Sequence, residues 1–153
     1  MKEDRKFFGV VFAIVIIGLS FIIFFTGSEI NAAGLSQKIF IGMVTGREGV
    51  GKYIDWYELK AFGTDVAAAY SNLPDEKERA DYRREFFKNL ASGFRYSGGR
   101  AQDFINWRIY KKEGEKTIVA ADYSGKGRTV LFTLSGDTKK KLTAIEWEGD
   151  NIE

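Results

Sequence analysis

The chain contains a glycine-rich segment with the spacing of a phosphate-binding loop. Residues 46–53 read GREGVGKY, so Lys52 follows the second of two glycines that stand five positions apart. In a phosphate loop, backbone N–H groups wrap the phosphates, the lysine reaches the outer phosphates, and a serine or threonine hydroxyl holds magnesium. Tyr53 stands where that hydroxyl belongs, and its ring carries the oxygen too far away. The segment therefore raises the question of a nucleotide site without completing the pattern.

The elements around this segment decide how it is interpreted. The apolar run over 39–44 precedes it as a strand would, and the run over 118–122 ends in Asp122, as a second carboxylate motif should. Phosphate-loop domains, however, are parallel sheets in which strands and helices alternate. This chain predicts helices followed by hairpins, which would not bring Asp122 beside the loop. We therefore interpret the segment as a glycine-rich loop entering a helix, with Arg47 and Lys52 solvated.

Composition excludes several classes of chemistry. The 153 residues allow one domain and a short appendage, and the net charge of +2 gives no nucleic-acid signal. The absence of cysteine excludes a disulfide framework and thiolate chemistry. The absence of histidine removes the commonest general base and the commonest metal ligand. The sequence therefore predicts no catalytic residue, no cofactor, no metal site and no nucleic-acid partner.

A long apolar segment lies near the amino terminus. Residues 7–25 are nineteen residues without a charge, enough to cross the hydrocarbon core of a bilayer as a helix. Basic residues precede the segment, and the next one after it is Lys38, so residues 1–6 are predicted to be a cytoplasmic tail. The prediction is a single-pass anchor in the cell membrane, in contact with the lipid bilayer. The alternative is a signal peptide cleaved near Asn31–Gly34.

The remainder divides into a linker and one domain. Residues 26–53 are predicted to be a juxtamembrane linker with a candidate short strand at 38–44, and residues 54–153 an extracytoplasmic domain. Helical spacing predicts a first helix from Ile54 to Tyr70, through Trp56, Leu59, Phe62 and Val66. Pro74 and neighbouring acidic residues predict the start of a second helix, which ends at Gly93.

The carboxyl-terminal third has the period of strands. Four strands are predicted at Phe104–Lys111, Lys116–Tyr123, Arg128–Leu134 and Leu142–Glu148, joined by short connections that contain glycine or polar residues. Consecutive strands should therefore pair as an antiparallel meander. The predicted fold class is α+β: an N-terminal transmembrane helix, then two helices packed on a four-stranded antiparallel meander with a cone-like curved sheet.

Two clusters are candidates for contact with other molecules. Tyr53, Trp56 and Tyr57 form an aromatic cluster that is a candidate partner surface, although packing in the core or at the membrane interface is the alternative. Lys139–Lys141 lie in a hairpin turn. They could meet anionic lipid or nucleic acid, but we interpret them as an exposed turn that blocks edge pairing.

Only four residues suggest acid–base chemistry. A buried aspartate beside a tyrosine donor can abstract a proton next to a carbonyl group, so an enzyme would need these side chains around one internal pocket. Nothing in their spacing predicts that they meet. The four residues are Asp103, Asp122, Tyr110 and Tyr123.

The order of elements resembles a known fold family. The stretch Ser71–Asp75, continuing to Tyr82 and Phe86-Phe87, is similar to the second-helix region of membrane-anchored nuclear-transport-factor-2-like (cystatin-like) domains. Among these domains the chain resembles the inner-membrane assembly component of type IV secretion and conjugation machines. The resemblance implies a non-catalytic scaffold that dimerises and contacts other subunits.

These observations predict a structural or assembly subunit of a membrane protein complex. Its partners would be other subunits of that complex and a second copy of the chain. One alternative is a domain that binds a small ligand or has weak enzymatic activity. A lesser alternative is a pilin-like subunit processed between Gly9 and Val10. Such a subunit would have an acidic residue at position 14, where this chain has the apolar Ile14.

Overall fold

The computed structural model of the protein describes residues 32–150, and its first element is a helix over 32–44, here α1. One side of α1 is buried at helical spacing, through Ala32, Ser36, Ile39, Phe40 and Met43. The predicted short strand at 38–44 was therefore wrong. A run of six mainly apolar residues fits a strand or a buried helix equally well. The earlier residues on the buried side of α1 are small or polar, so they gave no sign that the helix begins before the run.

A short hairpin replaces most of the predicted first helix. After a 3₁₀ helix at Glu48–Tyr53, the chain forms strands β1 (Lys60–Ala61) and β2 (Thr64–Asp65) and then helix α2 (Val66–Ser71). The turn residues Phe62 and Gly63 both have positive φ, of 50° and 81°. That conformation matches the two-residue turns that join antiparallel strands, and glycine adopts it without a steric penalty.

The predicted helix at 54–70 was thus wrong over 54–65, whereas residues 66–70 are helical as part of α2. Of its apolar stripe, Trp56, Leu59, Val66 and Tyr70 are buried, because the hairpin returns the chain to the same side of the sheet, but Phe62 lies in the turn and is 38% exposed. Gly63, which would weaken a helix, is instead the residue that allows the turn.

The long helix α3 (Glu76–Tyr96) agrees closely with its sequence signals. The Asp75 side chain accepts a hydrogen bond from the backbone N–H of Glu78 at 2.8 Å, which satisfies one of the free donors of the first turn. The helix continues three residues beyond Gly93, the end predicted from sequence. Gly93 is exposed with open space around it, so nothing there obliges the helix to stop.

Six strands form one mixed sheet. The four long strands are β3 (Phe104–Glu113), β4 (Lys116–Tyr123), β5 (Arg128–Ser135) and β6 (Lys141–Trp147). They pair in sequence as antiparallel neighbours, as predicted, and the full order is β2-β1-β6-β5-β4-β3. Strand β1 pairs in parallel with β6, so the predicted four-stranded antiparallel sheet was wrong. Strands of two residues are too short to show the alternation by which a strand is predicted.

The core lies between the helices and one face of this sheet. Val119, Phe132 and Ile145 lie opposite one another on β4, β5 and β6 and are fully buried. Helix α1 packs on this face through Phe40, whose ring centroid is 5.4 Å from that of Phe132. Helix α3 contributes Phe87 and Ala91 to the buried residues.

Within residues 32–150, no helix combines the length and the apolar content needed to cross a membrane. The predicted transmembrane helix at 7–25 lies outside the described residues.

Two glycines in α1 provide a matched test of this packing. A Cβ atom at Gly42 would lie 2.4 Å from Cγ1 of Val50, whereas a Cβ at Gly34 meets nothing within 4 Å. We expect Gly34→Ala to raise the free energy of unfolding by up to about 1 kcal/mol through helix propensity. We expect Gly42→Ala to lower it, because overpacking costs about 1–3 kcal/mol and outweighs that gain.

The measurement is denaturant unfolding of the full-length chain in non-ionic detergent, followed by tryptophan fluorescence. If both substitutions stabilise the protein equally, the close contact between α1 and the 3₁₀ helix is absent.

Candidate binding sites

The segment at 46–53 does not have the conformation of a phosphate loop. It follows helix α1 and not a strand, and most of it is the 3₁₀ helix. Several of its backbone donors are already used, because the N–H groups of Gly46, Arg47 and Val50 bond to the carbonyls of Met43, Gly42 and Arg47 at 2.7–3.3 Å. Donors already paired in this way cannot wrap a phosphate chain. The segment is therefore not a phosphate loop, and it leaves a helix where the sequence predicted a loop that enters one.

The 3₁₀ helix is held firmly from both sides. Val50 packs on the bare backbone of Gly42 in α1. On the other side, the indole N–H of Trp56 donates to the carbonyl of Gly51 at 3.1 Å, and the ring of Phe87 in α3 lies against the same glycine. Two glycines therefore allow α1 and α3 to approach this short helix closely.

The predicted partner surface does not form a single patch. Trp56 is buried, with ring centroids of Phe86 and Phe87 at 5.4 and 5.8 Å. Tyr57 is 56% exposed and packs edge-on against Tyr70. Tyr53 lies between two lysines, with the ammonium groups of Lys38 and Lys52 each 5.0 Å from its ring centroid. Three neighbours in sequence thus have three different environments.

The two candidate carboxylates are engaged by cations. Asp122 accepts hydrogen bonds from Asn106 at 3.1 Å and Arg108 at 2.9 Å, which hold the pKa of its carboxyl below the ordinary value. Asp103 pairs with Arg100 at 2.9 Å. A general base that works near neutral pH needs a raised carboxyl pKa, and Asp122 is shifted in the opposite direction.

The two candidate tyrosines do not complete an acid–base site. Tyr123 stacks on Phe104, with centroids 4.6 Å apart, on the core face of the sheet. Side chains alternate along β4, so Asp122 faces the opposite side from Tyr123. Tyr110 is half-exposed, and its hydrogen bond to Glu148 raises the pKa of the Tyr110 hydroxyl. The structure therefore does not gather the four residues around one space.

The lysines at 139–141 do not share one environment. The Lys140 ammonium donates to the carbonyl of Gly136 at 3.3 Å, which closes the turn before β6. Lys141, the first residue of β6, lines a cleft between the 3₁₀ helix and α3. In the described part of the chain, no cluster of three or more acidic residues is arranged to hold a metal ion.

That cleft has a volume of ≈ 440 Å³ and mixed charge. Lys52, Arg83, Arg84 and Lys141 line it, together with Glu48. Arg83 is bound to Glu76 at 2.7 Å, and Arg84 to Asp81 at 2.9 Å. Most of its positive charge is therefore already balanced by carboxylates.

A second cleft, between the 3₁₀ helix and α1, combines basic side chains with apolar residues such as Ile41 and Val50. It has a volume of ≈ 410 Å³, and we call it the basic cleft; its lining includes Lys38, Arg47, Lys52 and Tyr53 but no carboxylate. From the sequence, Arg47 and Lys52 were interpreted as solvated, and Lys38 was placed at the start of a candidate strand. The signal for Lys38 was the helical spacing of α1, which places this residue on the exposed side of the helix.

An apolar groove runs along the other side of α3, and we call it the α3 groove. It has a volume of ≈ 360 Å³ and lies between α3 and the β1–β2 hairpin; its lining includes Phe62, Val66, Tyr82, Phe86 and Leu90. It shares Phe62 and Leu90 with a narrower aromatic cavity of ≈ 180 Å³, beside Phe94 and Trp147. Tyr82, Phe86 and Leu90 stand four residues apart, and this spacing was the sequence signal for one apolar side of the helix.

Comparison of the chain with protein-family models, curated proteins and solved structures finds no match.

The electrostatics of the basic cleft can be tested through Tyr53. Its hydroxyl accepts a hydrogen bond from the Lys38 ammonium at 3.4 Å, and this bond, together with the charges of Lys38 and Lys52, lowers the tyrosine pKa. We expect Tyr53 to ionise at a lower pH than Tyr82, whose pKa is raised by burial. Lys38→Gln should move the Tyr53 midpoint up towards the ordinary value of about 10.

The measurement is a pH titration of the full-length protein labelled with ¹³C at the tyrosine Cζ, with the signal assigned by Tyr53→Phe. Lys77→Gln, on the exposed side of α3, is the control and should leave the midpoint unchanged. A Tyr53 midpoint that does not respond to Lys38→Gln would contradict the proposed contact.

Proposed function

We propose that the chain is a non-catalytic assembly subunit of a membrane complex, and that the α3 groove holds an apolar segment of a partner chain. The observation that carries the proposal is the half-exposed apolar side of α3. A groove of this kind is a common way for one protein to hold a helix or loop of another.

Helix α3 has more apolar residues than it buries in the core. Only Phe87 and Ala91 are buried, whereas a second stripe at spacing of four residues is only partly covered. That stripe lies along one side of the helix because residues four apart are neighbours on a helix surface. It consists of Tyr82, Phe86, Leu90 and Phe94. Contiguous apolar surface left in contact with water commonly marks a binding site.

The shape of the groove favours a polypeptide over a small ligand. Pockets for small molecules are typically enclosed and have volumes of about 300–1,000 Å³. The aromatic cavity, at ≈ 180 Å³, is below that range, and the larger α3 groove is open along the helix. An enzymatic function is less well supported, because both candidate carboxylates are bound to arginine.

The membrane part of the proposal depends on the sequence. The uncharged run at 7–25 supports a single-pass protein with a cytoplasmic amino terminus and an extracytoplasmic domain. The resemblance to nuclear-transport-factor-2-like assembly components supports the same role.

Site-specific photo-crosslinking tests the proposal in cells. We expect the full-length protein with p-benzoylphenylalanine at Asn89, which lines the α3 groove, to form one discrete crosslinked species in native membranes. The crosslinked partner would be identified by mass spectrometry. A species of twice the monomer mass, containing only this chain, would identify the partner as a second copy.

The matched control carries the same photoreactive residue at Ser92, which is exposed on α3 but does not line the groove. Equal crosslinking from both positions would mean that the groove has no special role. An Asn89 derivative that forms no crosslink, in a protein that is folded and present in membranes, would contradict the proposal.

A further inference from the structure

We propose that the basic cleft between α1 and the 3₁₀ helix is a binding site for a phosphate group. This inference concerns a different face from the α3 groove and does not depend on the assembly role. The ligand class is defined by the phosphate group itself, whether it is free or part of a lipid headgroup.

Charge is the first argument for an anionic ligand. Lys38, Arg47 and Lys52 converge on one cleft, whereas the chain as a whole has 23 basic and 21 acidic residues. Within residues 32–150, none of these three cations lies within 4.0 Å of a carboxylate oxygen. Arg84 and Arg108, on other surfaces of the domain, do have such partners. An unbalanced group of three cations attracts an anion and most favours one with more than a single charge.

The donors in the cleft are oriented for this purpose. Because the Tyr53 hydroxyl accepts a hydrogen bond from Lys38, its own proton remains available for an acceptor in the cleft. The two lysines beside the Tyr53 ring are held near it by cation–π contacts. Arg47 adds a planar guanidinium, which can bind two phosphate oxygens at once. Ammonium, guanidinium and hydroxyl donors together match the several oxygens of a phosphate.

The walls of the cleft are well packed and leave space for a ligand. Val50 and Gly42, which both line it, are in close contact, and a Cβ atom at Gly49 would meet nothing within 4 Å. A preformed site avoids the cost of ordering loops when the ligand binds. The volume of ≈ 410 Å³ admits a phosphate together with the group that carries it.

The geometry favours phosphate over two other anions. A nucleic acid needs a basic surface that extends along its backbone and exposed aromatic rings for stacking. Here the basic residues are confined to one cleft, and the Tyr53 ring is already occupied by two lysines. A single carboxylate carries one charge and two oxygens, too few to engage all the donors present.

Calorimetric titration of the full-length chain in non-ionic detergent tests the inference. The probes are inorganic pyrophosphate, monomeric dihexanoyl phosphatidylglycerol, dihexanoyl phosphatidylcholine and hexaglutamate. We expect pyrophosphate or phosphatidylglycerol to bind, and binding to weaken at least about tenfold in Arg47→Gln/Lys52→Gln, which removes two charge-assisted hydrogen bonds. Lys77→Gln/Lys88→Gln removes the same charge from exposed positions on α3 and should change affinity less than about twofold.

The probes separate the sources of the phosphate. Binding of pyrophosphate indicates a free or soluble phosphate ligand. Binding of phosphatidylglycerol without pyrophosphate indicates a lipid headgroup. Equal weakening in both double variants, tighter binding of hexaglutamate, or no binding of either anionic phosphate probe at about 10 mM would each overturn the inference. Lys38→Gln is a single-residue variant for use if the double variant does not fold, and it should also weaken binding.

Discussion

The ring of Phe40 on α1 lies at the point where the helices and the sheet meet. Its centroid is 4.5 Å from that of Phe104 and 5.4 Å from that of Phe132, and Phe94 of α3 approaches at 6.0 Å. One side chain therefore joins β3, β5 and both longer helices. Large aromatic side chains contribute strongly to a core because they bury much apolar area and pack with defined geometry. In a domain of this size, the position of α1 on the sheet depends on this contact.

Once α1 is placed, the positions of the basic cleft and the α3 groove follow. Gly42 lies two residues after Phe40, and its bare backbone receives Val50, which brings the 3₁₀ helix against α1 and creates the basic cleft. On the opposite side of the 3₁₀ helix, Phe87 packs beside Gly51 and so sets the rotation of α3. With Phe87 turned inward, the stripe that includes Phe86 and Leu90 remains at the edge of the core. The basic cleft and the α3 groove are thus two results of one packing arrangement.

The sequence predicted those parts of the fold that have strong local signals. Strand β4 was predicted with its observed bounds, and the other long strands within two residues, because short glycine-bearing turns and alternating residues define hairpins locally. The hairpin β1–β2 and its parallel pairing with β6 depend on contacts between residues far apart in sequence. The basic cleft could not be predicted for the same reason, since Lys38 meets Lys52 only when α1 is recognised as a helix.

The segment at 46–53 has the residue spacing of a phosphate loop but not the structure that such a loop needs to bind phosphate. Two glycines and a lysine at the spacing of a phosphate loop specify a nucleotide site only when a strand precedes them and free backbone N–H groups surround the ligand. Here a helix precedes them, and the N–H groups of Gly46 and Arg47 bond to carbonyls at the end of that helix. The glycines instead permit close packing, at Gly51 against Phe87 and at Gly46 beside Ala91. Any affinity for phosphate in this region must therefore come from the side chains of Lys38, Arg47 and Lys52, and not from the backbone. Side chains at a surface bind an anion less selectively than a backbone cradle does, which suits recognition of a chemical group more than of one particular nucleotide.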